Sequence, residues 1–385
     1  MRQKSGLLVV ALTLALTGCV QPPDSPAFKP SQQTPKCTQE SFDLYIEETR
    51  NWLDANRAFI TNDHEKEINA NAPFELKPEK TLHKTKGVLL VHGLGDSPYS
   101  FIDIAPLLAE QGFLVRVILL PGHGSKPADL MNVEVADWIN AVEHHTQLLK
   151  SEVDEVWLGG FSTGGNLVTS YAIDDKSIEG LLLFSPAFQS DSSLVALAPI
   201  ASKFLDWADI DPVDNYVRYD SLTFNAAGVY YQTSKRVRDQ LEATQFNRPV
   251  LVTLSADDSA LDSQAILGLF ESRFTHPDSK LIWYSNESDS RDSRVNQLNS
   301  RLPKHKISNI SHMAPLFAPD NTHYGINGAY RMCNNGEDGL EADCRNEEDV
   351  WYSAFGYTEE GKLHARLTWN PYFEELASEL KQITR

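Results

Sequence analysis

The fold is decided by the stretch Gly160-Phe161-Ser162-Thr163-Gly164, which stands between a short apolar run and a helix-compatible segment. The run is Val156 to Leu158, and the segment is residues 166–172. A serine in a strand-to-helix turn of the pattern Gly-x-Ser-x-Gly takes a strained backbone conformation, and side chains two residues away on either side would clash. Glycine at both of those positions removes the clash. The stretch therefore predicts a nucleophile, Ser162, at the end of a strand.

A second strand-to-helix junction is predicted earlier in the chain. Residues 86–91 are typical of a buried parallel strand, and His92-Gly93-Leu94-Gly95-Asp96 follows directly. Ser97-Pro98 then predicts a helix start, with serine as the N-cap and proline at the first helical position. A helix that starts just after a strand leaves backbone N–H groups free to hold a developing negative charge. We expect the amides of Leu94 and Thr163 to form an oxyanion hole.

A third motif, Pro121-Gly122-His123-Gly124, follows the predicted strand 114–120. The order His-Gly-x-Gly, Pro-Gly-His-Gly and Gly-x-Ser-x-Gly resembles the monoacylglycerol-lipase-like α/β-hydrolases and the related serine aminopeptidase group. The resemblance covers Gly87 to about Leu261, with a looser match at the C-terminus. It implies an α/β-hydrolase fold, with a mostly parallel central sheet flanked by helices and a helical cap inserted before the acid strand. It also implies an acyl-ester hydrolase with a Ser-Asp-His triad.

The order of that triad excludes one tempting histidine. In this fold the serine comes first, the acid second and the histidine last. His123 precedes Ser162, so we interpret it as a loop residue near the pocket rather than as the base.

The acid is expected in the loop 255–262, which follows the predicted strand 248–254 and holds three aspartates. The spacing that the resemblance implies favours Asp258, and Asp257 is the alternative. Asp262 is expected to cap the helix that begins near Ser263. The role of the acid is to hold the histidine in the correct tautomer and to stabilise its positive form, which requires a largely buried carboxylate.

The base is expected after the last core strand, which we predict at residues 280–284. The polar segment 286–304 lacks apolar periodicity and is interpreted as a surface insertion. A short strand at 306–310 then leads into Ser311-His312-Met313, where the resemblance places the base. His312 is therefore predicted to be the base.

His323 is the alternative base. It would require residues 313–317 to form the final strand, and Pro315 disfavours a central strand there.

The first residues predict export. Arg2 and Lys4 precede an apolar run, residues 6–17, which is too short to span a bilayer. The run ends in Leu16-Thr17-Gly18-Cys19, which resembles the bacterial lipobox, where the signal is cut before a cysteine that becomes lipidated. We expect residues 1–18 to be a lipoprotein signal peptide and Cys19 to be the lipidation site. An ordinary secretory signal with an incidental cysteine is the alternative.

The segment after Cys19 is rich in proline, and we interpret residues 19–36 as an extended, solvated tether. The protein is then expected to be anchored by lipid to a bacterial membrane, the outer membrane facing the periplasm or the cell surface. Residues 37–385 are expected to form one α/β-hydrolase domain, with the cap at about 188–246.

The remaining cysteines agree with export. Cys333 and Cys344 flank a polar, acidic loop and are predicted to form a disulfide. Cys37 is then free, or paired in place of one of them. No Cys-x-x-Cys motif is present and the acidic residues match no calcium loop, so no metal is expected.

The composition limits the partners. The 385 residues carry 34 Lys and Arg against 53 Asp and Glu, a net charge of −19, which argues against a nucleic-acid ligand. We expect a small acyl-ester or lipid substrate and no cofactor. The cap segment is apolar and aromatic, which suits an acyl or aryl group, although such residues also pack a cap onto its core. A serine aminopeptidase or amidase, or a non-catalytic hydrolase-like lipoprotein, are the alternative functions.

Overall fold

The computed structural model describes residues 22–32, 34–35, 37–80, 83–336 and 341–385, and leaves the side chains of 341–343 undescribed. The signal peptide and Cys19 lie outside these residues, so those predictions stay predictions. Within the described part of the chain, no helix has the length and apolar composition needed to cross a membrane.

The described residues form twelve strands. In chain order they are β1 (Phe74–Leu76), β2 (Lys86–Val91), β3 (Phe113–Ile118), β4 (Glu155–Phe161), β5 (Ile178–Phe184), β6 (Trp207–Asp209), β7 (Leu222–Thr223), β8 (Val250–Ser255), β9 (Lys280–Tyr284), β10 (Val295–Leu298), β11 (Val350–Ser353) and β12 (Leu363–Arg366).

The same residues form ten α-helices. They are α1 (Phe42–Asn56), α2 (His64–Asn71), α3 (Ile104–Glu110), α4 (Val135–Lys150), α5 (Thr163–Asp174), α6 (Ala198–Ala201), α7 (Phe224–Ala243), α8 (Ser263–Arg273), α9 (Glu341–Asn346) and α10 (Phe373–Ile383).

Eight strands form the central sheet in the order β1-β3-β2-β4-β5-β8-β9-β10. Only the β1–β3 pair is antiparallel, so the carboxyl ends of β2, β4, β5 and β8 meet at one edge. The strands are buried on both faces because helices cover each side, which explains their nearly continuous apolar sequences. The mostly parallel sheet flanked by helices confirms the predicted architecture.

The cap lies between β5 and β8, as predicted from the resemblance. It contains α6, the small antiparallel pair β6–β7 and the long helix α7. Thr223 caps α7 by accepting a hydrogen bond from Ala226 N at 3.1 Å. Five large apolar side chains in the first part of the cap are exposed: Leu194, Leu197, Ile200, Phe204 and Leu205. These five side chains therefore do not serve to pack the cap onto the core.

The segment before the domain also differs from the prediction. Pro26–Phe28 forms a short 3-10 helix that Ser25 caps, and the Phe28 side chain is buried. Its ring packs edge-on against Trp207 of the cap, with 5.2 Å between the ring centroids. The expectation of a solvated tether is therefore wrong for this part, because an apolar residue finds a partner on the cap.

Two predictions after β9 are wrong. The segment 286–304 contains the last strand of the sheet, β10, which pairs in parallel with β9. Residues 306–310 do not join the sheet. They bond instead to the C-terminal part of the chain, where Ser308 N donates to Tyr352 O and Tyr352 N donates to Lys306 O, both at 2.8 Å.

The predicted disulfide is confirmed, since Cys333 and Cys344 are bonded with a Cα–Cα distance of 5.7 Å. Cys37 is free, and burial raises the pKa of its thiol to about 12. A buried thiol of this kind stays protonated and unreactive at neutral pH.

Candidate active site

The turn around Ser162 has the strained geometry that the glycine pattern predicts. β4 ends at Phe161, α5 begins at Thr163, and Ser162 between them has φ 52° and ψ −116°. A Cβ at position 164 would lie 1.9 Å from Val91 O, and one at position 160 would lie 2.4 Å from the Gly164 carbonyl carbon. No real side chain tolerates such distances, so both positions require glycine. The strain is of the kind that functional sites store.

Asp258 and His312 lie together, as predicted. His312 Nδ1 donates to Asp258 Oδ2 at 2.6 Å, across 54 residues of sequence. The Asp258 side chain is fully buried, and its other oxygen accepts a hydrogen bond from Ala260 N at 2.9 Å. The imidazole keeps 22% of its surface exposed. The carboxylate therefore fixes the tautomer with Nδ1–H, and leaves Nε2 free to accept a proton.

His312 lies beside the serine turn. Its ring centroid is 5.0 Å from that of Phe161, the residue before Ser162. Ser185 Oγ donates to His312 O at 2.8 Å and ties this loop to the end of β5. Ser185 itself has φ 42°, a positive value that is unusual for serine. It belongs to no motif, so no pattern in the sequence indicated this anchoring role.

The alternative residues have other partners. Asp257 accepts a hydrogen bond from Ser300 Oγ at 3.0 Å, and burial raises the pKa of its carboxyl. His323 Nε2 faces Asn215 Oδ1 at 3.1 Å, and its ring packs among tyrosines. Asp262, as predicted, caps α8 through Ala265 N at 2.9 Å. Neither alternative has the geometry of a triad member.

The two amides predicted to form an oxyanion hole lie at the ends of β2 and β4, which are neighbours in the sheet. Thr163 N is the first amide of α5, and Leu94 follows the His92-Gly93 turn. Among the described residues, neither amide donates a backbone hydrogen bond. The helix predicted from Ser97-Pro98 starts there as a 3-10 turn, Pro98–Phe101, and Ser97 caps it. Free amides at one edge of the sheet are suited to stabilise an oxyanion.

A charged pair that the sequence patterns did not reveal borders this loop. Asp96 is buried, and burial raises the pKa of its carboxyl, while the Arg218 guanidinium at 3.8 Å opposes that shift. Arg218 also faces Asp220 at 3.3 Å. Asp96 is far from Arg218 in sequence, so only the docked cap brings these two residues together.

Two surface cavities lie at the opposite edge of the sheet. One, of about 700 Å³, is lined by Lys86, Glu155 and Lys280, the first residues of β2, β4 and β9. The other, of about 450 Å³, also borders Lys86. Ligands of parallel sheets bind outside the carboxyl ends of the strands, so neither cavity is the candidate active site. Within the described residues, no cluster of three or more His, Cys, Asp or Glu is arranged to hold a metal.

Known proteins match part of this chain. Residues 83–225 match the family described as Serine aminopeptidase, S33. The thermostable monoacylglycerol lipase of Bacillus sp. (strain H-257) is 33% identical over 101 residues, which are 26% of this chain and 40% of that protein. The chain thus spans less than half the length of this curated relative.

Solved structures are similar to a larger share of this chain than the sequence matches are. A structure of the metagenome-derived lipolytic enzymes LipS and LipT has a TM-score of 0.50 at 20% identity, covering 56% of this chain and 88% of that chain. The monoacylglycerol lipase of Paleococcus ferrophilus has a TM-score of 0.47 at 22% identity, with coverages of 56% and 88%. The sheet order, the sequence matches and the first of these structures show that this chain has the α/β-hydrolase fold. Its matched part is similar to the monoacylglycerol-lipase-like group.

Proposed function

We propose that the protein is a serine hydrolase of carboxylic esters, of the esterase, lysophospholipase or monoglyceride-lipase type. The observation that carries the proposal is the buried Asp258 carboxylate bonded to His312 Nδ1 beside a strained, partly exposed serine. The similarity of 101 residues of this chain to a monoacylglycerol lipase supports an acyl ester as the substrate.

The mechanism follows from the roles of these groups. Ser162 Oγ attacks the acyl carbon while His312 Nε2 takes the hydroxyl proton, and the imidazolium then gives that proton to the leaving alcohol. A water attacks the acyl-enzyme in the second half, and the same imidazole takes and returns its proton. Asp258 stabilises the imidazolium. The amides of Leu94 and Thr163 hold the oxyanion, and each such donor lowers the barrier by about 3 kcal/mol.

A fluorophosphonate probe tests the nucleophile. We expect it to label the wild type and not Ser162→Ala. Ser272→Ala, which replaces an exposed serine of α8, is the matched control that keeps the label. Hydrolysis of p-nitrophenyl esters from acetate upward then tests turnover and ranks the acyl-chain length. Equal labelling of the wild type and Ser162→Ala would show that Ser162 is not the nucleophile, and labelling of neither protein would favour a non-catalytic hydrolase-like protein.

A serine aminopeptidase or amidase is the second candidate, because the matching family carries that description. An aminopeptidase needs carboxylates that receive the α-ammonium group of its substrate. Asp96 and Asp220 border the candidate site, but both already face the Arg218 guanidinium. This pairing favours the ester. Comparing turnover of aminoacyl-anilides with that of acyl esters separates the two functions.

We also propose that the protein is a lipoprotein held at a bacterial membrane, in the outer membrane facing the periplasm or the cell surface. The lipobox-like sequence at Cys19 supports this location. The exposed apolar side chains of the cap give further support, since Phe204 alone is 82% exposed. They precede Trp207 in the chain, and the Phe28 ring packs on Trp207. Large apolar side chains exposed together mark a contact with lipid or protein.

Incorporation of radiolabelled palmitate tests the anchor. We expect the wild type to carry the label in the membrane fraction, and Cys19→Ser to lose it. Cys37→Ser is the matched control, because Cys37 lies outside the lipobox-like sequence and should not be acylated. A Cys19→Ser variant that keeps its label would contradict the proposed anchor.

A further inference from the structure

Two buried histidines lie next to the proposed oxyanion hole, and neither belongs to the triad. His92 follows β2, and His123 lies in the Pro-Gly-His-Gly turn after β3. Both side chains are fully buried, and their ring centroids are 4.8 Å apart. Burial lowers the pKa of His123 to about 4, so its imidazole is neutral at ordinary pH.

His92 fixes the orientation of one peptide group. Its Nε2 accepts a hydrogen bond from Leu120 N at 3.0 Å, so its Nδ1 carries the proton and donates to Gly93 O at 2.8 Å. The Gly93 carbonyl and the Leu94 amide belong to the same planar, trans peptide, so they point in opposite directions. Holding the carbonyl therefore directs the amide that is proposed to bind the oxyanion.

His123 fixes the next peptide group from a different loop. Gly95 N donates to His123 Nε2 at 3.1 Å, which requires a neutral ring whose proton is on Nδ1, where Pro121 O lies at 3.3 Å. A charged imidazole could not accept this hydrogen bond. The bond joins the turn after β3 to the loop after β2.

The cap holds the same glycine from the other side. Tyr219 N donates to Gly95 O at 2.6 Å, and the Tyr219 ring stacks parallel to that of His123. Gly95 has φ +77°, and a Cβ there would lie 3.1 Å from Tyr219 O. Both polar backbone groups of Gly95 are thus bonded, one to the core and one to the cap.

We propose that His123 is a positioning residue for the oxyanion hole: as a neutral acceptor it holds the Gly95 amide, and so fixes the Leu94 amide for the transition state. The inference rests on the proposed ester hydrolysis. The cap supports the same arrangement through Tyr219, whose amide donates to Gly95 O.

The test replaces the acceptor and then restores it. His123→Leu removes the acceptor at similar volume, while His123→Gln puts an amide oxygen near the position of Nε2. We expect His123→Leu to lower kcat for a p-nitrophenyl ester by about 10- to 100-fold, less than the loss of a whole oxyanion donor, with KM within about threefold of the wild type. His123→Gln should recover kcat to within about threefold. The inhibition constant of a trifluoromethyl ketone should rise in step with the loss of kcat/KM.

His145→Leu is the matched control. His145 is also fully buried, and among the described residues neither ring nitrogen has a hydrogen-bond partner. It packs against Phe42 and Tyr45, away from the candidate site, so its replacement should leave kcat unchanged.

Different outcomes overturn different claims. A His123→Leu variant with the kcat of the wild type, or a glutamine variant as slow as the leucine variant, would overturn the positioning role. If His123→Leu does not fold, hydrogen exchange of the Gly95 amide in the wild type decides. Strong protection supports the role, and exchange as fast as in an open loop overturns it. Failure of the proposed function is recognised separately, because the wild type and Ser162→Ala would then be equally inactive.

Discussion

His312 and His323 follow the same strand, β10, but lie in contrasting surroundings. His312 is partly exposed and bonded to a carboxylate, whereas His323 is 3% exposed and faces an amide oxygen within a group of tyrosines. Burial and the positive charge of Lys66 lower the pKa of His323 to about 4. A general base must gain a proton during turnover, and only a ring with a carboxylate partner and an open second nitrogen is suited to that. The local partners, rather than the residue type, distinguish a candidate base from a structural histidine.

The largest expected effect is the loss in kcat on replacing His312, with the replacement of His323 as the comparison. His312→Ala should lower kcat by about 10⁴-fold or more, on the scale of triad removal, while KM changes little. His323→Ala should keep most of the activity and lower the unfolding midpoint, because Asn215 Oδ1 loses one of its two hydrogen bonds. Steady-state kinetics on one soluble ester measures kcat and KM of both variants, and thermal unfolding measures the midpoint. The reverse pattern would identify His323 as the base.

The two neighbouring aspartates extend the comparison. Asp258→Asn keeps the shape but loses the charge that orients His312, so we expect a loss in kcat of about 10⁴-fold. Asp257→Asn is the matched control and should change kcat by less than about threefold, since Asp257 faces Ser300 instead. Similar losses from both substitutions would show that the acid has been assigned to the wrong carboxyl group.

Alanine substitutions at two glycines compare the steric limits of the serine turn with those of an ordinary helix. Gly164→Ala would bring a Cβ within 1.9 Å of Val91 O, so we expect no folded protein or a free energy of unfolding lower by at least about 4 kcal/mol. Gly268 lies in α8, and a Cβ added there would meet nothing within 4 Å, so Gly268→Ala should stabilise the protein by about 0.5–1 kcal/mol. Denaturant unfolding followed by circular dichroism measures both. A Gly164→Ala protein with the wild-type midpoint would refute the steric argument.

The last prediction concerns the dependence of the free energy of unfolding on pH. Because the pKa of His323 is lowered in the folded state, the unfolded chain binds more protons below pH 6.5 than the folded chain does. The contribution of this group to stability is therefore complete above about pH 6.5 and is lost as the pH falls toward 4. His323→Gln keeps a donor for Asn215 but does not titrate. The wild type should lose stability relative to this variant by on the order of 1 kcal/mol per pH unit in that range.

The measurement is the free energy of unfolding of both proteins at several pH values between 7 and 4. An imidazole resonance of His323 that titrates near pH 6.5 would contradict the expected shift.

The turn that carries Ser162, at the carboxyl end of β4, could be predicted from the sequence because its geometry requires glycine at two positions. Gly160 and Gly164 are required by contacts of less than 3 Å, so their pattern is visible in one sequence. The candidate acid and base were predicted from the resemblance, and the structure brings Asp258 and His312 together although residues 306–310 do not form the predicted strand.

The region after Tyr284 was predicted less well. Strand β10 lies at the edge of the sheet, and its residues Val-Asn-Gln-Leu are only partly buried, so no apolar alternation marks it. Ile307 and Ile310 are apolar and fully buried, and for this reason the short segment was predicted to be a strand, although their spacing of three residues is not the strand period. Their segment pairs with Tyr352 rather than with the sheet, and nothing local in the sequence encodes a contact over that distance.

The packing of Phe28 on Trp207 limits how far the cap can lie from Cys19. Phe28 is nine positions after Cys19 in the sequence. A fully extended chain spans at most about 3.6 Å per residue, so the two residues lie within about 32 Å of each other in any conformation. A lipid on Cys19 would therefore hold the cap within roughly one bilayer thickness of the membrane surface. Such an enzyme would meet its substrates by lateral diffusion in a plane, and their surface density rather than their bulk concentration would set its rate.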